Sequence, residues 1–294
     1  MHPEATKEET LPNFLPSCRK LSVMSELRLT PRPLGRTSLR VSPLGLAGSF
    51  GITADDVERA FHEHGVNYFF VTSRAKGFNE GVRRLVKAGH RDQIVIAAGA
   101  NIPMGARIEP AFRAVCRDLG VERIDVWHLF WVQYHWYVTG KTWPAMQRLK
   151  EQGHVSALAV SVHDRPLATK LVGELGLDAL MIRYNAAHRG AEREIFEPLG
   201  ENCPPIVAYT ATRWGDLLKP VRGFDRAMDP GECYRFALGN PKVGTVLCGA
   251  ANYEEVKHDV EAVLQGPLDP TRFDEVKRFG DAVRASARGM GFGT

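Results

Sequence analysis

The chain has 294 residues and a net charge of +4, with 44% hydrophobic and 9% aromatic residues. This composition is typical of a globular protein and excludes a chain that is disordered over most of its length. No apolar run approaches the roughly 20 residues of a membrane-spanning helix, so we expect no membrane segment. The basic residues are interspersed with acids and form no cluster, so we also expect no nucleic-acid partner.

The amino-terminal region lacks a structural pattern. It contains Glu4, Glu8 and Glu9 without an apolar core, unlike a secretory signal. The five cysteines are far apart and form no Cys-x-x-Cys pair, which favours a reducing, cytoplasmic location. We predict a flexible extension over residues 1–27, with Met24 as an alternative start, and one folded domain over residues 28–294.

Strands and helices alternate through the rest of the chain. Residues 32–42 alternate around a Gly/Ser turn, which predicts a hairpin. Eight strand-length apolar runs follow, separated by segments whose apolar residues are three and four apart. The runs are Leu44–Ala47, Asn67–Val71, Ile94–Ala98, Asp125–Trp131, Val155–Val162, Ala179–Tyr184, Ile206–Tyr209 and Gly244–Cys248.

Eight strand and helix units in about 250 residues predict an α/β fold, a closed (β/α)8 TIM barrel of parallel strands. A last amphipathic segment, Arg272–Ala287, is expected to pack outside the barrel as an extra carboxyl-terminal helix. An open doubly wound sheet is the alternative. Residues 46–51 follow the first strand but lack the G-x-G-x-x-G spacing that such a sheet uses for phosphates. In a barrel, active groups lie at the carboxyl ends of the strands.

Six stretches in barrel order resemble the aldo-keto reductase superfamily over residues 32–264. They are residues 34–46, residues 65–70 with 77–80, residues 121–127, residues 153–161, residues 184–192 and residues 208–209. The resemblance implies reduction of carbonyls with NADPH by an Asp, Tyr, Lys and His tetrad. The corresponding positions hold Phe70 (or Val71), Lys76, Gly99 and Phe130. Because Phe and Gly have no titratable proton, we expect the usual mechanism to be absent.

The cofactor positions that the resemblance implies are partly kept. Ser161 and Tyr209 correspond to a carboxamide contact and to the aromatic ring that stacks on the nicotinamide. At the positions of the other two carboxamide contacts, this chain has Val162 and Met181. The remaining candidates for cofactor binding are Arg213 in the loop over the pyrophosphate and Gly249 and Asn252 at the start of the eighth-unit helix.

Acidic residues lie close in sequence to these cofactor positions. Glu254, Glu255 and Asp259 follow Asn252, where the adenosine 2′-phosphate would lie. Negative side chains repel a phosphate. NADP(H) binding is therefore possible but weakened, and no other cofactor is predicted.

Three residues are candidates for catalysis. Lys76 occupies the proton-donor position and could supply an amine, but a surface loop lysine is the alternative. His163 follows Ser161 on the same strand face and either lines the mouth or sits at a helix start beside Asp164. Arg183 could fix a substrate carboxylate or phosphate, or it could pair with Glu192 or Glu194.

The predicted substrate pocket is apolar. Its candidate residues are Phe70, Phe130, Trp131, Met181 and Trp214. His128 alternates into the barrel one layer below Phe130 and is interpreted as a core histidine. His128, His135 and His163 have no metal-ligand spacing, so no metal is predicted.

We therefore predict a divergent enzyme of this superfamily that acts on a small organic substrate, with NADP(H) as a possible cofactor. One alternative is a non-redox lyase, cyclase or isomerase. The other is a catalytically silent barrel that binds a ligand or a partner. The substrate and the oligomeric state stay open.

Overall fold

A computed structural model describes residues 27–289, so nearly all of the predicted extension lies outside the described residues. Eight parallel strands form a closed barrel, which confirms the predicted (β/α)8 architecture. The barrel strands are β3 (Leu44–Ala47), β4 (Tyr68–Phe70), β5 (Val95–Ala100), β6 (Ile124–Val132), β7 (Val155–Val162), β8 (Ala179–Arg183), β9 (Ile206–Tyr209) and β10 (Val243–Cys248). Their order around the barrel is β10-β3-β4-β5-β6-β7-β8-β9.

Helices surround the barrel. They are α1 (Ala54–His64), α2 (Lys76–Lys87), α3 (Gly105–Leu119), α4 (Thr142–Glu151), α5 (Arg165–Leu175), α6 (Glu197–Leu199), α7 (Pro230–Leu238), α8 (Tyr253–Leu264) and α9 (Pro270–Gly289). A π-helical turn, Glu192–Phe196, leads into α6. Among the described residues, no helix has the length and apolar character needed to cross a bilayer.

The predicted hairpin closes the amino-terminal end of the barrel. Its strands β1 (Arg32–Pro33) and β2 (Arg40–Val41) pair antiparallel. Leu34 and Val41 are fully buried and join the side chains of the barrel interior. The Arg32 guanidinium donates to the carbonyl oxygens of Val243 and Gly244 at 2.9 Å each. The hairpin thus plugs one end of the barrel and leaves the opposite end for the site.

Side-chain caps set the starts of several helices. Thr53 and Asp56 form a capping box at α1, and the helix ends at Gly65, whose φ of 69° is in the left-handed region. Asp164 caps α5 by accepting from the amide of Leu167 at 2.7 Å. Caps of this kind contribute about 1 kcal/mol each. They fix where each strand-to-helix loop ends at the mouth of the barrel.

His128 lies inside the barrel, as the alternation of β6 predicted. It is fully buried between the rings of Phe70 and Phe130, at centroid distances of 5.8 and 5.5 Å. Its Nδ1 is 3.2 Å from the carbonyl oxygen of Ala98, while its Nε2 has no hydrogen-bond partner. Burial lowers the pKa of His128 from 6.5 to about 4. The ring is therefore neutral at pH 7 and belongs to the core.

This burial predicts an acid-sensitive fold. Between pH 6.5 and pH 4 the unfolded chain binds a proton at His128 that the folded chain does not, so the free energy of unfolding falls as the pH falls. The contribution of His128 alone is about 3 kcal/mol. Urea unfolding at pH 7 and at pH 4 measures the free energy of unfolding at each pH. We expect this free energy to fall less between pH 7 and pH 4 in His128→Leu than in the wild type. An equal loss in both proteins would contradict this assignment.

Candidate functional site

The principal cavity lies at the carboxyl ends of the barrel strands, where a barrel places its active groups. Its volume is about 910 Å³. Phe70, Met181, Tyr209 and Leu247 line its inner part, and the cavity continues beneath the loop of residues 210–215 to the start of α8. Of the predicted pocket residues, Phe70, Met181 and Trp214 line this cavity.

Phe130 and Trp131 are not among the residues that line the cavity. The ring of Phe130 packs against Phe70 at 5.3 Å and stacks on His128. Trp131 has a φ of 54° and is 59% exposed. The irregular pairing at the end of β6 turns it outward, so the prediction that these two residues shape the pocket needs correction.

Lys76 is not among the residues that line the central cavity. It is the exposed first residue of α2 and lines a neighbouring cavity with Gly48, Ser49 and Thr72. Phe78, Val82 and Leu85 of α2 pack into the core, and their spacing fixes the orientation of the helix. The exposed position of Lys76 agrees with the alternative of a surface lysine.

A chain of contacts connects the ends of β7, β8 and β9 and reaches the cavity at Tyr209, whereas His163 and Arg183 are not among the lining residues. Arg183 Nη2 lies 3.2 Å from Nδ1 of His163, and Tyr209 Oη lies 3.2 Å from both ring nitrogens of His163. Because a guanidinium only donates, Nδ1 accepts its hydrogen bond, and Nε2 carries the proton of the neutral ring. His163 then donates to the Tyr209 oxygen. The proton of Tyr209 remains available to the cavity.

The electrostatics agree with this assignment. Burial first, and the charge of Arg183 second, lower the pKa of His163 below 6.5, so the ring is neutral at pH 7. Burial raises the pKa of Tyr209 to about 12, although Arg183 and a hydrogen bond with Ser161 act in the opposite direction. Tyr209 is therefore protonated, and Arg183 and Ser161 offset only part of the cost that burial places on its phenolate.

Only some of the predicted cofactor-binding residues line the cavity. Tyr209, Gly249 and Asn252 line the cavity, whereas Ser161 is buried beside Tyr209. Arg213 does not line the cavity; its Nη1 pairs with Asp216 Oδ2 at 3.0 Å.

The loop after β9 explains the placement of Arg213. Thr210, Arg213 and Trp214 have φ values of 53°, in the left-handed region that costs about 1 kcal/mol or more per residue. The turn holds Trp214 over the cavity, 63% exposed, and directs Arg213 to Asp216.

The start of α8 is occupied by the chain's own side chains. Asn252 Oδ1 accepts from the amide of Glu255 at 3.0 Å, and Glu255 Oε2 accepts from the amide of Ala251 at 2.8 Å. The Glu255 carboxylate thus accepts the hydrogen bond of a backbone amide that could otherwise bind a phosphate group. Glu254, Glu255 and Asp259 line this end of the cavity.

Several lining residues were not predicted. Two of them, Phe50 and Tyr234, reach the cavity from the loop after β3 and from α7. Asp259, which the sequence placed near the phosphate end of the cofactor, lines the cavity from α8, and burial raises its pKa to about 6. The helical spacing of α7 could have identified Tyr234, but no sequence signal marks Phe50 as a lining residue.

The model of the Aldo/keto reductase family matches residues 52–232 of the chain. The chain belongs to the aldo-keto reductase family. No curated protein matches the sequence. Among solved structures, aldo-keto reductase AKR11C1 from Bacillus halodurans in its holo form is 20% identical with a TM-score of 0.73, over 86% of this chain and 96% of that one. A Pseudomonas aeruginosa protein assigned to the same family is 22% identical with a TM-score of 0.66, over 81% of this chain and 96% of that one. These likenesses show the shared fold.

Aldo-keto reductases generally bind NADP(H), so the cavity can be tested for that cofactor. Its length and the ring of Tyr209 suit a nicotinamide, but its charge does not suit the phosphates. Three carboxylates line the far end, and no Lys or Arg is among the lining residues that the structure describes. The amide of Ala251 is already bonded to Glu255. The residues present therefore do not fit NADP(H).

Phe70, Gly99 and Phe130, three of the positions that the family resemblance assigns to the proton relay, have no titratable side chain. Phe70 and Phe130 form an aromatic contact there, and a Cβ at Gly99 would lie 2.2 Å from the carbonyl oxygen of His128. Strands β5 and β6 approach each other too closely at this pair for any side chain. The titratable groups of the mouth instead lie on its opposite side, at the ends of β7, β8 and β9. Within residues 27–289, no group of His, Cys, Asp or Glu is arranged to hold a metal.

Proposed function

We propose that the protein is a divergent member of its family that binds a small organic molecule in the central cavity and acts on it by proton transfer. Tyr209 is the catalytic residue and donates a proton to an oxygen or nitrogen atom of the substrate. His163 and Arg183 are positioning residues that act through Tyr209. The observation that supports this proposal is that Tyr209 lines the cavity and is connected to His163 and Arg183 by contacts of 3.2 Å.

The chemistry follows from the surroundings of Tyr209. When its proton leaves, the phenolate is stabilised by the Nε2 proton of His163, by Ser161 and by the nearby charge of Arg183. Proton donation by a positioned side chain accelerates reactions about 10²- to 10⁴-fold. The reaction class is that of a lyase, cyclase or isomerase, because these reactions need proton transfer without a hydride donor.

Reduction with NADP(H) is the second candidate. The position of Tyr209 beside a long cavity favours it, and the three carboxylates at the far end oppose it. We expect purified protein to show no saturable NADPH or NADH binding below about 100 µM in a fluorescence titration. Glu255→Lys is expected to improve NADPH binding at least several-fold, because it frees the amide of Ala251 and reverses a charge. The surface control Glu151→Lys should not. Micromolar binding of NADPH by the wild type would contradict the charge argument.

A reaction screen in deuterated water tests the proton-transfer proposal. Purified protein is incubated with a panel of small carbonyl and carboxylate compounds, with and without NADPH, and the products are detected by mass spectrometry and NMR. We expect a substrate to be converted at the same rate with and without NADPH, and any solvent deuterium that the reaction introduces is counted only at carbon, because deuterium on oxygen or nitrogen exchanges freely with the solvent. Conversion that depends strictly on NADPH would support the redox candidate. A complete lack of conversion and exchange would favour a silent binding barrel.

A further inference from the structure

Arg183 has unusual surroundings for a half-buried cation. Its guanidinium contacts Nδ1 of His163 at 3.2 Å and Nε2 of His188 at 3.5 Å, and it lies 5.4 Å from the ring centroid of Trp214. None of these groups carries a negative charge. Burial is the main reason that the pKa of Arg183 falls below its ordinary value.

The neighbouring arginines differ from Arg183. Arg165 pairs with Glu194 at 3.2 Å, and Arg213 pairs with Asp216 at 3.0 Å. Glu192 accepts from the hydroxyl of Tyr184 at 2.7 Å. Glu192 and Glu194, the two acids that the sequence suggested as partners of Arg183, therefore contact other residues. Among the ion pairs of the described residues, none includes Arg183. An uncompensated cation that is partly removed from water is costly to keep.

Both histidines beside Arg183 are held as acceptors. Nδ1 of His188 lies 3.3 Å from Oδ1 of Asn185, to which it donates, and Nε2 is left to accept from Arg183. Asn185 is fully buried and is fixed by a 2.8 Å hydrogen bond from its amide nitrogen to the carbonyl oxygen of Thr210. Burial first, and then the charges of Arg183 and its neighbours, lower the pKa of His188 to about 3. Neither imidazole can neutralise the guanidinium.

We propose that Arg183 is the binding site for an oxyanion of the substrate, a carboxylate or a phosphate group. Two parallel N–H donors of a guanidinium match the oxygen atoms of either group. Trp214 and His163 flank the position, and His163 separates the bound anion from Tyr209 by a single imidazole ring. An anionic group held there places the rest of the molecule in the central cavity, beside the Tyr209 hydroxyl.

The role assigned to this anion as part of a substrate rests on the proposed function, whereas anion binding itself does not. The two are therefore separable. Saturable binding at Arg183, together with unchanged turnover in Tyr209→Phe, would reject the proton-transfer proposal and leave the anion site in place.

Histidine NMR can test the site without a known substrate. The ring signals of His163 and His188 in the full-length protein are followed while sodium acetate, inorganic phosphate or neutral acetamide is added. We expect saturable shifts of both rings with at least one anion and none with acetamide. A response to acetate alone assigns the carboxylate class, and a response to phosphate alone assigns the phosphate class. No saturable shift with either anion, or an equal shift with acetamide, would overturn the proposal.

Variants locate the binding within the protein. Arg183→Met is expected to weaken anion binding about 10- to 100-fold, and Arg183→Lys about 10-fold, because lysine keeps the charge but not the two-donor fork. Arg193→Met removes an exposed charge from the same side of the barrel and should leave the affinity unchanged. Wild-type affinity in Arg183→Lys and Arg183→Met, with folding verified by circular dichroism, would overturn the proposal.

Discussion

Replacing Tyr209 with Phe is expected to reduce turnover of the substrate about 10²- to 10⁴-fold, while substrate affinity changes little. The variant keeps the ring that lines the cavity and removes only the hydroxyl that His163 contacts at 3.2 Å. The measurement is the rate of whichever conversion the reaction screen detects. The loss should fall on kcat, because the hydroxyl acts in the transition state.

Two control variants sharpen this experiment. Tyr134→Phe removes a hydroxyl from an exposed tyrosine outside the cavity, and it should retain full activity. Lys76→Met tests the residue that the sequence placed at the proton-donor position, and it too should retain activity because its amine faces a different cavity. A fully active Tyr209→Phe protein together with an inactive Lys76→Met protein would contradict the assignment.

Adding a side chain at Gly99 is expected to destabilise the barrel strongly. A Cβ there would lie 2.2 Å from the carbonyl oxygen of His128, which is backbone and cannot move without separating β5 from β6. Gly99→Ala should lower the free energy of unfolding by about 1–3 kcal/mol, and Gly99→Lys by more. Urea unfolding measures both. A lysine therefore cannot simply be restored at the position that the family resemblance assigns to it.

Gly173 provides the matched control. It lies within α5, and a Cβ at this position would meet no atom within 4 Å. Gly173→Ala is expected to stabilise the protein by about 0.5–1 kcal/mol through helix propensity. Should Gly99→Ala be as stable as the wild type, β5 and β6 would have to lie further apart than the structure indicates.

The barrel could be predicted because most residues of its strands are apolar and buried on both faces. The runs Val155–Val162, which is apolar except for Ser156 and Ser161, and Ile206–Tyr209 have the same bounds in the structure. Helix α2 belongs to the second predicted strand and helix unit, and its buried residues Phe78, Val82 and Leu85 follow the three- and four-residue spacing of a helix face. This spacing does not determine where the first residue of the helix lies relative to the cavity. The sequence therefore left open whether Lys76 supplies an amine to the site or lies at the surface.

The contacts of the site depended on information that the sequence does not carry. Whether Arg183 pairs with Glu192 or Glu194 is decided by where Tyr184 and Arg165 lie, and these residues approach only in the folded barrel. The same is true of the ring proton of His163, which follows from the donor groups of Arg183. Alternation along β7 could place His163 near the mouth, but it could not identify the partners of the ring.

A neutral His163 connects Arg183 to Tyr209. Long-range ¹H–¹⁵N spectra of the histidine rings, recorded from about pH 8 to about pH 5, test this arrangement without a substrate. We expect a proton on Nε2, an unprotonated Nδ1 and a pKa below 6.5 for this ring. We also expect Arg183→Met to shift the Nδ1 signal and Tyr209→Phe to shift the Nε2 signal. A proton on Nδ1, or a pKa at or above 6.5, would contradict this arrangement.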